Sequence, residues 1–140
     1  MVLHMGVSLL LPKKAYRALI GHIQVHPVFR WEEETLEHLL IGCPFARECW
    51  QLISLEVEDD LDLFEVFQSF RLQLNVPFFT EIIIIMSWSI WMARNDQNFR
   101  NMPPTIFSCR RYFAQVFSLS VLKVKDAFQD HMTQWLQQTL

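Results

Sequence analysis

"PFFTEIIIIMSWSIWMARNDQNF", residues 77–99, decides how the rest of this 140-residue chain is read. Its four successive isoleucines, Ile82 to Ile85, favour a strand locally, because β-branched side chains suit a pleated surface. The run nevertheless continues unbroken from Pro77 to Phe99, far beyond an ordinary strand. Pro77 is suited to a first helical position, where its missing N–H costs nothing. Length and punctuation together predict one long helix. It is apolar nearly all round as far as Met92, which makes it the central buried element.

Helical patterns continue on both sides. C-terminally, "PPTIFSCRRYFAQVFSLSVLKVKDAF" places Ile106, Cys109, Phe113, Val116, Phe117, Ser120, Val124 and Phe128 at helical spacing, and "MTQWLQQ" extends that helix or packs beside it. N-terminally, "DLDLFEVFQSFRLQL" puts Leu63, Val66, Phe67, Phe70 and Leu74 on one side, with a break at "NVP". Earlier still, "EEETLEHLLIGCPFARECW" begins with acids suited to the positive end of a helix dipole, followed by the stripe Leu36, Leu39 and Leu40. Gly42 is placed to end that helix in the left-handed conformation. Cys43 can then cap a second short helix while Pro44 takes its first position. Residues 1–31 are harder to type: Pro12 to Ile23 has a weak helical pattern, and "VHPVFRW" reads as an extended connector.

With 51% hydrophobic residues, 12 Phe and 5 Trp, the chain can bury a real core, and 3 Gly leave few places for tight hairpins. The expectation is therefore an all-α fold. Residues 32–140 form one small domain, with short helices packed around two long C-terminal ones. Three cysteines, an odd number, make no disulfide framework and favour a reducing, intracellular compartment, cytoplasmic or nuclear. The most apolar run, Ile82 to Ala93, is about half of the ~20 residues a spanning helix needs, so no membrane role is expected. The N-terminal lysines follow rather than precede the apolar stretch, the wrong order for a secretory signal.

The net charge of −3 hides an uneven distribution: +4 over residues 1–31, −10 over 32–70 and +3 over 71–140. An acidic middle repels phosphate, so charge gives no support to nucleic-acid binding by the whole chain. The run "EVEDDLDLFE" offers carboxylates but neither a glycine turn nor EF-hand spacing, and reads as a solvated loop.

Chemistry concentrates at His38 and Cys43. Five residues apart on one continuous helix, they would lie about 140° from each other. Only a helix that stops at Gly42 lets Cys43 swing back toward His38. Two readings compete: one ligand pair of a zinc site, which needs four ligands, or a helix cap beside a partly exposed imidazole.

"EEETLEHLLIGCPFARECW" resembles the zinc-binding region near the C-terminus of plant non-LTR retrotransposon reverse transcriptases. The later "SWSIWMARNDQNFRN" is similar to the Trp-x-x-Trp-x-x-Arg-Asn stretch that follows in the same proteins, so the resemblance covers roughly residues 32–129. It implies zinc as the cofactor, held by a Cys-x-x-Cys pair ahead of the acidic run together with the positions that match His38 and Cys43. It also implies nucleic acid as a partner. No cysteine precedes Cys43, and the only substitutes are His22 and His26, giving His-x3-His ahead of His38. That departure implies a zinc site that is weak or lost.

Catalytic constellations are missing at the level of sequence: no Gly-x-Ser-x-Gly, no phosphate-binding glycine loop and no polymerase carboxylate hairpin. Cys109 sits on an apolar stripe and reads as core, while Trp88 and Trp91 read as packing rather than base-stacking platforms. The expected function is thus a non-catalytic fragment resembling that zinc-binding region. The alternative is a small helical module that docks a protein partner.

Overall fold

Residues Phe79–Arg100 do form a single helix of 22 residues, buried on nearly every side. Ile82, Met86, Ser89, Ile90 and Ala93 are wholly inaccessible, and Ile83, Ile85, Ser87 and Trp91 nearly so. β-Branched residues lose side-chain freedom in a helix, but only by tenths of a kcal/mol each. Burying each isoleucine returns about 1.5–3 kcal/mol, so packing overrides the local strand preference. The two serines that interrupt the run are internally satisfied. Ser87 Oγ donates to the carbonyl of Ile83 at 2.8 Å, and Ser89 Oγ to that of Ile85 at 2.7 Å.

The computed structural model describes residues 37–100 and 103–140, with 97–100 described by their backbone alone. The protein is all-α, and no strand occurs among the described residues. A π-helical turn, His38–Gly42, leads into α1 (Pro44–Gln51), α2 (Leu63–Leu74), α3 (Phe79–Arg100), α4 (Ile106–Val121) and α5 (Asp126–Thr139). Helix α3 is the hub: α1, α2, α4 and the π-turn all pack on it, while α5 packs on α4. Among the described residues, no helix is long and apolar enough to cross a membrane. Segment 1–31, with the expected helix from Pro12 to Ile23, lies outside the described residues, as do Glu32 to Glu34.

Caps set the boundaries. The side chain of Asp62 accepts from the N–H of Glu65 at 2.8 Å, and the Glu65 carboxylate accepts from the N–H of Asp62, a reciprocal capping box at the start of α2. Asn75, at φ 48°, ends α2 in the left-handed conformation at the expected "NVP" break. Thr105 caps α4 through the N–H of Ser108 at 3.0 Å.

Two aromatic groups flank α3. Trp50 packs on Phe70 and Phe67, with ring centroids 4.6 Å and 6.0 Å away. At the other end Phe78, Phe113, Phe117 and Trp135 form a second group, with Trp135 from α5 5.3 Å from Phe117.

One expectation is corrected. The last long pattern is not one helix to Phe128: α4 ends at Val121, and Lys125 at ψ 147° starts α5 afresh. The break lets α5 fold back so that Met132 is fully buried and Trp135 reaches the second aromatic group, while Phe128 is left 40% exposed. Of the two tryptophans read as packing, Trp91 lies in the core, whereas Trp88 is only half-buried against it and meets Tyr112 edge-on at 5.9 Å.

Among the described residues Glu81 is the one charged side chain carried into this interior, at 4% exposure in the first turn of α3. The helix dipole favours a carboxylate there, yet burial wins and raises its pKa above the ordinary carboxylate value. Its Oε2 finds no hydrogen-bond partner among the described residues.

Two measurements check this account. Trp91→Ala should cost about 3–5 kcal/mol in denaturant unfolding, with Trp88→Ala costing clearly less; equal losses would contradict the assigned packing. For Glu81, a folded-state pKa above the unfolded one means its favourable contribution is complete below the unfolded value. That contribution is lost as pH rises through the folded value. Glu81→Gln should therefore match the parent in urea near pH 4 and exceed it increasingly toward pH 7.

Candidate functional site

The corner from His38 to Trp50 is built by residues that satisfy one another's backbone. A helix end leaves carbonyls without intrahelical partners, and here three are accounted for. The N–H of Cys43 donates to the carbonyl of His38 at 3.0 Å, an i to i+5 bond that makes the turn π-helical. The indole Nε1–H of Trp50 donates to the carbonyl of Leu40 at 2.7 Å. The Nε–H of Arg47 donates to the carbonyl of Ile41 at 3.0 Å. One side of the "CPFARECW" stretch thus reaches back to close the turn before it.

The π-turn replaces the expected left-handed glycine. Gly42 has no positive φ; instead Cys43, at φ −86° and ψ 145°, is extended, as a residue before proline prefers. Proline therefore redirects the chain, and no left-handed cap is required. A Cβ at this position would instead lie 3.0 Å from Nδ1 of the exposed His38 ring, which would have to give way by a few tenths of an ångström. Cys43 does cap α1 as expected, its Sγ accepting from the N–H of Ala46 at 3.4 Å, and Pro44 takes the first helical position.

The wider turn bears on the two candidate ligands. An i to i+5 bond brings residues five apart nearer to one face than the about 140° of a regular helix. Backbone geometry thus brings positions 38 and 43 together. Their side chains have different surroundings: His38 is exposed, whereas Cys43 is 8% exposed with its sulfur on the end of α1. His38 lines an open cavity of about 260 Å³ with Gly42, Arg47, Glu58, Asp60 and Leu61.

The acidic run beside this cavity is only partly the solvated loop expected of it. Leu55 is 1% exposed and Val57 and Leu61 are half-buried, while Glu56, Glu58, Asp59 and Asp60 face outward. Asp60 sits at φ 66°, a left-handed position that Asp tolerates better than most residues. Arg47 pairs with Asp59 at 2.8 Å, tying the loop to α1. Both side chains are solvent-accessible, so the pair is worth well under about 1 kcal/mol.

Among the described residues no group of three or more His, Cys, Asp or Glu side chains is placed to hold a metal ion. His22 and His26 lie outside the described residues. The described donors, one exposed imidazole and one buried capping sulfur, do not by themselves amount to a zinc set.

The remaining cysteines were legible as apolar but not as neighbours. Cys49 on α1 and Cys109 on α4 are both wholly buried. A hydrogen bond with Cys109, together with burial, pushes the Cys49 thiol far up from its ordinary pKa. A thiol held protonated in this way is the reverse of an activated nucleophile. Comparison with protein-family models, curated proteins and solved structures returns no match.

Gly42→Ala tests the corner. With His38 present, the 3.0 Å approach should offset the usual gain of about 0.5–1 kcal/mol for replacing glycine in a helical turn. In a His38→Ala background that gain should appear in full. Identical effects in both backgrounds would show that the ring does not constrain residue 42.

Proposed function

We propose that this chain is a non-catalytic helical module of the kind its sequence resembles, the zinc-binding region of a plant non-LTR retrotransposon reverse transcriptase, retaining half of the metal site. The observation that carries the reading is the His38–Gly42 π-turn closed by Cys43, Arg47 and Trp50. It is a costly local geometry, since π-turns are rare in helical proteins and recur at functional sites. The stretch that forms it is the same one that carries the resemblance. In this reading the corner's present role is architectural: it anchors α1 and the acidic loop to α3. Any zinc would be held through His38 and Cys43 with His22 and His26 as the other pair.

Catalysis has no part in this reading. The Cys49 thiol is kept protonated, and Glu81 is sealed in the core. Purified untagged protein should contain well under one zinc per chain, and a chelator should leave its melting temperature unchanged. It should extend no primer and cut no nucleic acid with magnesium or manganese. One tightly held zinc, lost equally on Cys43→Ser and on His22→Ala, would replace the half-site with a complete one. An activity abolished by changing Asp59 and Asp60 would overturn the non-catalytic reading.

A second reading, a module that docks a protein partner, rests on the large apolar side chains left in solvent. Phe107 is 68%, Leu119 61%, Leu122 73% and Leu72 80% exposed. Because both side chains are largely exposed, Phe107→Lys and Leu122→Lys should leave unfolding midpoints within about 0.5 kcal/mol of the parent. A large loss in either variant would place those side chains in the fold instead of on a contact surface.

A further inference from the structure

Helix α4 sends Cys109, Phe113, Phe117 and Val121 into the core and leaves a second stripe to solvent. Phe107, Ala114, Ser118 and Leu122 recur along that stripe at helical spacing, with Phe107 and Leu122 largely exposed. Beside it opens a cavity of about 230 Å³, walled by Phe107 and Ala114 of α4, Leu136 of α5 and Leu140 at the end of α5. Arg110 and Arg111 stand at the same cavity. Arg110 donates through Nη2 to the main-chain oxygen of Leu140 at 2.7 Å, which braces the end of α5 against α4. The Arg111 guanidinium lies 5.6 Å from the centre of the Tyr112 ring. Among the described residues no side-chain carboxylate pairs with either arginine.

Volume and charge together narrow what fits. A cavity of about 150 Å³ holds a benzene ring, whereas ligand pockets for whole small molecules start at about 300 Å³. The space therefore suits one large apolar side chain. Its rim is positive: residues 103–125 carry Arg110, Arg111, Lys123 and Lys125 and no acid, and residues 131–140 carry no acid either. A second copy presenting the same face would set like charges against each other. A bilayer surface or a phosphate backbone would meet the cations but leave the concave apolar wall unfilled.

We propose that the groove between α4 and the end of α5 docks an acidic peptide segment, one large apolar side chain filling the cavity while flanking carboxylates pair with Arg110 and Arg111. Guanidinium and carboxylate match as planar, two-pronged partners, and an apolar anchor in a pocket supplies most of such an affinity. This names the partner of the protein-docking module given above as the second reading, and it rests on that reading.

The test uses the full chain and a fluorescent synthetic peptide in which one phenylalanine is flanked on both sides by glutamates. Saturable binding that weakens with added salt is expected, falling roughly tenfold when glutamine replaces glutamate or alanine replaces phenylalanine. Arg111→Glu, and Ala114→Phe, which plugs the cavity from α4, should each weaken it roughly tenfold or more. Leu72→Ala, on exposed α2 surface, should leave it unchanged. Should Ala114→Phe fail to fold, Arg111→Glu and the glutamine peptide still decide the outcome. No saturable binding, equal binding of the glutamine peptide, or undiminished binding to folded Ala114→Phe overturns the proposal. So does tighter binding of phosphatidylserine vesicles or of polyuridylate than of the peptide. Melting curves separate the two failures: unfolding by Phe107→Lys removes the docking reading and this inference with it, whereas a folded chain that ignores the peptide removes this inference alone.

Discussion

Four consecutive β-branched residues in a helix each give up side-chain freedom against the preceding turn, and an isolated peptide of residues 79–100 would gain little from folding. What holds this segment helical is that apolar surface surrounds it. Ile82 and Ile83 are covered, and so are Ile85, Met86 and Ile90, because α1, α2, α4 and the π-turn each pack on α3. The dependence runs both ways. Helix α1 has eight residues and cannot be stable alone; it persists because Trp50 and Cys49 are buried beneath it. The core is therefore a single cooperative unit around one helix, and damage at its centre is felt by every element.

The corner that carries the resemblance acquires a physical account within that unit. Side chains are normally judged by what they bind, yet Arg47 and Trp50 here bind the backbone of the turn that precedes them. Removing Trp50 would open a cavity beside Phe67 and Phe70 and also orphan the carbonyl of Leu40. Each loss is destabilising by itself. The stretch "CPFARECW" is thus a joint in its own right, with no metal needed to account for it.

Much of this was readable in advance, for reasons that differ by element. Helix α2 was legible because Leu63, Val66, Phe67, Phe70 and Leu74 keep strict helical spacing, and Asn75 supplies the left-handed stop. Helix α3 was legible from its length, despite its isoleucines. The Gly42 turn was misjudged because a left-handed glycine and a π-turn before proline look alike in sequence; what separates them is the bond from the Cys43 N–H to the His38 carbonyl. The end of α4 was missed because "SLSVLKVKDAF" keeps a helical period through the break, and only Met132 and Trp135, later in the chain, force the fold back. Trp88 and Trp91 differ by three residues on an apolar helix, and no pattern ranks them; Tyr112 and Asp96, bonded at 2.5 Å, mark the side that faces outward. The sulfur contact was invisible for a plainer reason. Met86 and Cys109 come from two separate helices, and no spacing rule links them.

The same packing separates two kinds of donor chemistry. Hard and borderline groups, His38, Glu58 and Asp60, line the cavity at the edge of α1, where water competes for any ion and protonation governs binding. Soft groups lie inside, where water is excluded and burial helps push the Cys49 thiol up from its ordinary pKa. Cys43 stands between the two, with its chain position at the cavity's edge and its sulfur turned onto α1. Drawing that sulfur out toward His38 would uncap α1 and expose a buried side chain, each at a cost of about 1 kcal/mol. A metal at the corner would have to repay that cost through further ligands, since His38, Glu58 and Asp60 already sit where water competes with them.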